Sequence, residues 1–241
     1  MYIKKLIKIL LKKLGYRLIK LKTPSDKLKY SLKDTETLKA INNAKGILHL
    51  GAHKGTEAEV YNWFGKKVIW IEAIPYIYDQ LKENIYSYKN QKAFCALLGD
   101  QDDIKKDFNI SNNDGASSSV YKFSKNTLSN KYFPNRDLKM YKTTTLLMNK
   151  LDTIFERNKI VASEYDHWIV DLQGAELIAL KGAVKALADC KSISIEVSKV
   201  DIYDGGVLWD ELKFWLNNQG FYSENDPESI HTDVLFKKHK I

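Results

Sequence analysis

The sequence predicts an α/β protein built on one mostly parallel sheet with helices on both faces. Short apolar, β-branched runs at 47–50, 68–71, 168–172 and 192–197 alternate with helical periodicity, the pattern of linked βαβ units. Glycine turns or acids close these runs, and the chain's 241 residues suit one sizeable domain with a core of its own.

The elements follow in order. Residues 1–14 place Ile3, Leu6, Ile7, Leu10 and Leu14 on one helical face, with Lys4, Lys5, Lys8, Lys12 and Lys13 on or beside the other. Gly15 interrupts this pattern. A basic amphipathic helix over 1–22 suits an anionic membrane surface, while a helix docked on the domain is the other reading of the same stripe. Residues 23–43 hold a Pro24-containing linker and a packing helix to about Asn42, capped by Asp34 or Thr35. The domain proper is 44–241.

Strand one (47–50) stops at Gly51; Thr56 then caps a helix through Trp63, with Glu57 as a first-turn acid, and strand two ends in Glu72. Pro75 starts a helix to about Tyr88, with Ile77, Leu81, Ile85 and Tyr88 on one face. Strand three is 92–98, closed by Gly99 and Asp100. Over about 101–165 the alternation breaks down into an insertion. Two strands, 108–110 and 143–147, flank a polar segment with Asn112, Asn113, Asp114, Gly115, Ser117, Ser118 and Ser119, read as a lid or substrate loop. Strand four ends at Asp171 and leads into one helix over 176–188. Strand five carries Glu196 near its end, and a helix at 210–218 and strands at 221–222 and 232–236 complete the chain.

The formal charge of +8 is concentrated in residues 1–22, which carry eight lysines and arginines and no acid. The remainder has 38 − 8 = 30 bases against 30 acids, so it carries no overall basic field and no nucleic-acid partner is expected. Cys95 and Cys190 stand apart with no C-x-x-C, which fits a reduced cytoplasmic setting without disulfide or zinc. No apolar run is long enough for a signal peptide or a spanning helix; attachment on the inner face of a membrane would be peripheral.

In an open parallel sheet ligands gather at the carboxyl ends of strands, where the Gly51 turn, Glu72, Asp100, Asp171 and Glu196 all fall. Gly51-Ala52-His53-Lys54-Gly55 is not G-x-G-x-x-G, which disfavours a dinucleotide and an oxidoreductase. Glu72, 21 residues after Gly51, has the spacing of a ribose acceptor. A nucleoside with a zwitterionic arm, S-adenosyl-L-methionine, fits this turn. His49 and His53 stand four apart, but a strand end and turn do not hold them on one helical face, and no metal site is expected.

Leu48-His49-Leu50-Gly51-Ala52-His53-Lys54-Gly55, Trp70-Ile71-Glu72-Ala73-Ile74-Pro75, Asn113-Asp114-Gly115-Ala116-Ser117-Ser118 and Asp171-Leu172-Gln173-Gly174-Ala175-Glu176 with Leu180-Lys181-Gly182-Ala183 together resemble the FkbM-type S-adenosylmethionine-dependent methyltransferases. The resemblance covers roughly 44–221. It implies a seven-stranded class I methyltransferase (Rossmann-like) fold and methyl transfer to oxygen, commonly on a sugar. It also implies that Gly51, Ala52, His53 and Gly55 form the cofactor turn and that Glu72 accepts the ribose. Most members carry an acid where this chain has His49 and an asparagine where it has His53, so Asp171 or the Ser117, Ser118 and Ser119 loop would take the methionine ammonium instead.

Methyl transfer needs an acceptor oxygen held about 3 Å from the methyl group and a place for its proton. Asp171 is the first candidate, with Glu196 and His53 behind it; the alternative for Asp171 is a structural acid bonded to the following helix. Tyr203, Asp204, Gly205 and Trp209 are candidates for the lining of a sugar site. A membrane-associated scaffold that kept the fold without catalysis is the remaining alternative.

Overall fold

The structure, a computed structural model, describes residues 35–134 and 136–239. The expected helix of 1–22 and the linker after it lie outside the described residues. The described residues from Lys39 onward form one compact unit. Before it, Thr35–Leu38 are the opening turn of helix α1 (Thr35–Asn43). Among the described residues no helix is long and apolar enough to cross a membrane.

Strands β1 (Gly46–Leu50) and β2 (Lys67–Glu72) are buried along their whole length except at Lys67, as expected for strands covered on both faces. Between them runs α2 (Ala58–Trp63). Glu57, and not Thr56, occupies its N-cap position, without a side-chain cap bond. Thr56 donates its hydroxyl to the Glu57 carboxylate instead. Helix α3 (Pro75–Ile85) starts at its proline, buries Ile77, Leu81 and Ile85, and ends three residues short of Tyr88. Each of these buried side chains contributes roughly 1.5–3 kcal/mol.

The expected third strand is two strands in two sheets. β3 (Gln91–Cys95) pairs with β2, whereas β4 (Leu97–Leu98) pairs with β6 (Met140–Asn149). Ala96 is the joint, its N–H donating to the Glu72 carbonyl. β5 (Ile104–Ser111) lies antiparallel to β6, with a register shift between Ile110 and Ser111. The insertion therefore has its own three-stranded sheet, in the order β4-β6-β5. It also carries the short helices α4 (Lys125–Leu128) and α5 (Leu151–Arg157).

The main sheet adds β7 (His167–Val170), β8 (Ser192–Ser198), β9 (Phe221–Ser223) and β10 (His231–Lys238). Its order is β3-β2-β1-β7-β8-β10-β9, seven strands in a mixed sheet. The four neighbouring pairs from β3 to β8 are parallel, and β10 runs antiparallel to both of its neighbours. From β1 the chain builds outward through β2 and β3, then crosses back to β7 on the other side. The crevice of such a reversal opens at the carboxyl ends of β1 and β7.

The helix expected over 176–188 is two, α6 (Glu176–Lys181) and α7 (Val184–Leu187). Gly182 is the break, and a Cβ there would stand 1.9 Å from the Gly99 carbonyl oxygen. Asp152 of α5 then caps α7, accepting the Lys185 and Ala186 N–H groups at 2.9 Å each. Helix α8 (Trp209–Asn218) closes the core on Leu212 and Leu216.

Gly182→Ala should cost about 2–3 kcal/mol by forcing Gly99 away. Gly220 has φ +82° and open space around it, so Gly220→Ala should cost about 1 kcal/mol, from backbone strain alone. Urea unfolding of the two variants checks this, and equal costs would show that the Gly99 contact does not set the break.

Candidate active site

The glycine turn is built by contact between the two central strands. The Asp171 N–H donates to the Leu50 carbonyl at 3.0 Å, and a Cβ on Gly51 (φ +82°) would stand 1.7 Å from the Asp171 carbonyl oxygen. Only glycine allows that approach. Gly51 and Ala52 both donate their N–H to the Ile71 carbonyl at 3.0 Å, and Gly55 donates to Ala52 at 2.9 Å. The N–H groups of Gly51 and Ala52 thus fasten the turn to β2 and are not free for a ligand. Gly51, Ala52 and His53 still line the cavity with their backbone, while Gly55 faces Leu81.

Glu72 is 7 % exposed, with one backbone donor on each oxygen: His53 N–H at 2.8 Å on Oε2 and Ile74 N–H at 2.8 Å on Oε1. Burial raises its pKa, and these two bonds oppose the rise. Each oxygen retains a lone pair, so the carboxylate can accept two neighbouring hydroxyls. It lines a cavity of about 270 Å³ whose other wall is apolar: Ile74, Leu97, Leu98, Phe108 and Val120.

The loop from Asn112 to Ser119 forms one edge of this cavity through Gly115, Ala116 and Ser118. Its serine side chains are bonded to the loop itself and to its flanks. Ser118 Oγ accepts the Ser111 N–H at 3.0 Å, Ser117 Oγ accepts the Asn113 amide at 2.9 Å, and Ser119 Oγ accepts the Tyr121 N–H at 3.1 Å. Asn109 gathers the carbonyls of Ser119, Val120 and Tyr121. Lys54 pairs with Asp114, holding its carboxyl below the ordinary range, and His53 Nε2 lies 2.9 Å from the Asp114 carbonyl oxygen.

On the far side of the cavity Asp171 heads an acidic cluster in which Glu176 is buried and Asp171 and Glu196 are half-buried. Oxygens of Asp171, Glu176 and Glu196 lie within 4.8 Å of one another, close enough to share a cation. Their partners here are N–H donors. The Gln173 amide donates to Asp171 at 2.5 Å and to Glu196 at 2.7 Å, while Tyr203 donates its hydroxyl to the Gln173 carbonyl oxygen at 2.5 Å. Glu176 accepts the N–H groups of Leu172 and Gly174 at 2.9 and 3.2 Å. His231 Nε2 stands 2.9 Å from Glu196. Burial pushes Asp171 well above the carboxylate range, and Glu196 beside it adds to the rise. Burial likewise pushes Glu196 up to about 8 and Glu176 up to about 7.

A family profile described as the methyltransferase FkbM domain matches residues 49–222, well over half of the chain. The chain belongs to the FkbM methyltransferase family. Its cofactor, as a member of this methyltransferase family, is S-adenosylmethionine. Similar solved structures include a TehB-like SAM-dependent methyltransferase from Corynebacterium glutamicum, 13% identical, covering 90% of this chain and 100% of that one with a TM-score of 0.43. Another is the magnesium protoporphyrin IX methyltransferase of Synechocystis with bound SAM, 9% identical, covering 98% and 97% with a TM-score of 0.43. A third is the fibrillarin of Aeropyrum pernix with natively bound S-adenosyl-L-methionine, 12% identical, covering 81% and 67% with a TM-score of 0.41. No curated protein matches the chain.

The FkbM cavity has the donor set this cofactor needs: a carboxylate with two free lone pairs, an apolar wall deep enough for a base, and a second carboxyl across the turn. It gathers Gly51, Ala52, His53, Glu72, Ser118 and Asp171 and leaves out the other residues expected from sequence. Asp100 sits on an exposed turn, Ser117 and Gly55 are off the wall, and Glu196 reaches the site only through Asp171 and Gln173. His49 stacks on Trp70 at 4.8 Å and bonds Tyr61 at 3.2 Å, so it and His53 are engaged separately. Of the expected sugar-site residues, Tyr203 is buried against Gln173, and Trp209 lines a different cavity with Lys199, Leu208, Asp210 and Asp226. Sequence reasoning gave no role to Gln173 or His231; only their contacts reveal one.

In the unfolded chain Glu176 titrates near 4.5, in the folded chain near 7. The folded state therefore holds more protons between these values, and the stability this contributes is full below the window and lost as pH rises through about 7. Glu176→Gln keeps an oxygen for both N–H bonds and cannot ionise. Between about pH 5 and about pH 8 it should lose less stability than the native chain, by up to about 3 kcal/mol. Urea titrations at the two pH values test this, and equal losses would contradict a neutral buried acid.

Proposed function

We propose that this FkbM-family chain is a class I O-methyltransferase acting on a sugar hydroxyl of a glycan, a lipid-linked glycan precursor or a glycosylated metabolite. The observation that carries the reading is Asp171: a carboxyl group lining the cavity, next to the cofactor turn, in surroundings that make it a stronger base than an ordinary aspartate. A neutral hydroxyl must lose its proton as it is methylated, so a base at this place suits oxygen as the acceptor. The strand order, with β10 alone reversed, supports the class I assignment.

When bound, S-adenosylmethionine supplies an electrophilic methyl group on a positively charged sulfur. Glu72 holds the ribose hydroxyls, and Ile74, Leu97 and Phe108 enclose the base. Gly51 keeps β1 and β7 close enough for Asp171 to face the acceptor oxygen. Asp171 takes the hydroxyl proton, with Glu196 sharing it, and His53 orients Glu72 from the turn. Neither an exposed basic field nor a groove for nucleic acid enters this reading.

Glu72→Ala should fold, as judged by circular dichroism, yet bind S-adenosylhomocysteine thirtyfold to several-hundredfold less tightly, a loss of about 2–4 kcal/mol. Asp171→Asn should cut transfer of labelled methyl groups by about a hundredfold to ten-thousandfold, with affinity for S-adenosylhomocysteine within a few fold. The acceptors are a panel of nucleotide sugars, lipid-linked glycans and small glycosides. If affinity falls with turnover, Asp171 is a structural or cofactor residue.

Residues 1–22 bring the enzyme to an anionic membrane in this reading, since each lysine or arginine near such a surface is worth about 1 kcal/mol. Binding to vesicles should need anionic lipid, weaken in high salt and vanish on deletion of residues 1–22. A full-length protein that ignores anionic vesicles would remove the membrane partner.

A further inference from the structure

Asp171 is assigned as a base, yet in the structure it is held as an acid. Its carboxyl and that of Glu196 are joined by a single neutral donor, the Gln173 amide, at 2.5 and 2.7 Å. Two enclosed carboxyls this close cannot both ionise without a positive charge nearby. The groups facing the pair do not supply one. Glu176 on α6 and Asp233 opposite Glu196 on β10 add negative potential, and burial keeps the Tyr203 hydroxyl neutral. His231 stands 2.9 Å from Glu196, but burial lowers its pKa and favours the neutral ring.

The missing charge has a defined way in. Glu72 ends β2 and Asp171 follows β7, with only β1 between them. Strands are spaced about 4.8 Å apart, so the two carboxyls stand at opposite sides of the Gly51 turn, roughly 10 Å apart. A nucleoside whose ribose sits on Glu72 would carry its sulfur, bonded to the ribose 5′ carbon, over the Gly51 turn on the side of Asp171; the ammonium at the end of the arm is common to donor and product and cancels in their comparison. The donor carries a sulfonium there, whereas the demethylated product carries a neutral thioether.

We propose that Asp171 and Glu196, clamped by Gln173 and Tyr203, expel one of their two protons when S-adenosylmethionine binds and regain one from the acceptor hydroxyl during transfer. The site would therefore hold donor more tightly than product, increasingly so as pH rises. The inference rests on the methyltransferase reading given above. The steps balance. On binding, the pair, in which both carboxyls are protonated and neutral, gives one of its two protons to solvent and becomes singly anionic opposite the sulfonium. On transfer, the acceptor O–H bond breaks, its oxygen bonds the methyl carbon, the carbon–sulfur bond breaks with its electron pair left on sulfur, and the proton goes to the pair. The charge on sulfur and the charge on the pair vanish together, which leaves a neutral thioether beside a neutralised pair.

The test is titration calorimetry of the full-length protein with S-adenosylmethionine and with S-adenosylhomocysteine, in phosphate and in Tris, whose ionisation enthalpies differ. At about pH 7 the donor should release close to one proton and the product almost none. Donor affinity should rise relative to product affinity by up to about tenfold per pH unit, levelling off above about 8, where Glu196 titrates. Sinefungin, which carries a fixed ammonium in place of the sulfonium, should behave as the donor does. Glu196→Gln removes the acid that titrates near 8, so proton release at about pH 7 should fall well below one while both ligands still bind. Equal proton release for donor and product, with a pH-independent affinity ratio, overturns the proposal in the native protein whatever the variant does. If neither ligand binds, the methyltransferase reading falls and takes the proposal with it; if both bind without the proton signature, only the proposal falls.

Discussion

The approach of the Asp171 carbonyl to Gly51, so near that a Cβ there would stand 1.7 Å from its oxygen, fixes most of what surrounds it. Because no side chain stands between the ends of β1 and β7, the crevice left by the strand reversal is narrow, and one cavity can be walled by both halves of the chain. The turn that follows is then pulled toward β2 by the Ile71 carbonyl and the Glu72 carboxylate. Glu72 also anchors the start of α3 through Ile74. One glycine and one buried acid thus set the floor and one side of the site before any loop is placed.

The two carboxyl groups on either side of that glycine show how local surroundings divide similar chemistry into different duties. Glu72 is compensated by two backbone N–H groups, rigid donors that favour the ionised form and leave lone pairs free to accept. Asp171 must share one side-chain amide with a second acid, so burial dominates and the proton is retained. Tyr203 matters here because its hydroxyl fixes which end of the Gln173 amide faces the acids.

What was legible in the sequence is what short-range patterns encode. The apolar runs of β1, β2, β7 and β8, the glycine at 51 and the acids at 72 and 171 each follow from spacing and punctuation within a few residues. The misreadings involve partners distant along the chain. The split between α6 and α7 depends on Gly99 and on a cap from Asp152, and neither lies near Gly182 in sequence. The single strand expected at 92–98 divides because Leu97 and Leu98 find β6, fifty residues on. Serines 117–119 look like ligand contacts because hydroxyls commonly are, but their bonds close on Ser111, Asn113 and Tyr121. His231 carried no signal at all, since only the antiparallel register of β10 brings it to Glu196.

The sheet formed by β4, β5 and β6 divides the labour of the cavity between two kinds of scaffold. The donor half is welded to central strands, where a change of one residue disturbs the whole sheet. The opposite edge hangs from a single antiparallel pair that already tolerates a register shift at Ile110 and Ser111 and turns through a self-bonded loop. Lengthening, shortening or exchanging that loop alters the mouth of the cavity while leaving Gly51, Glu72 and Asp171 where they are.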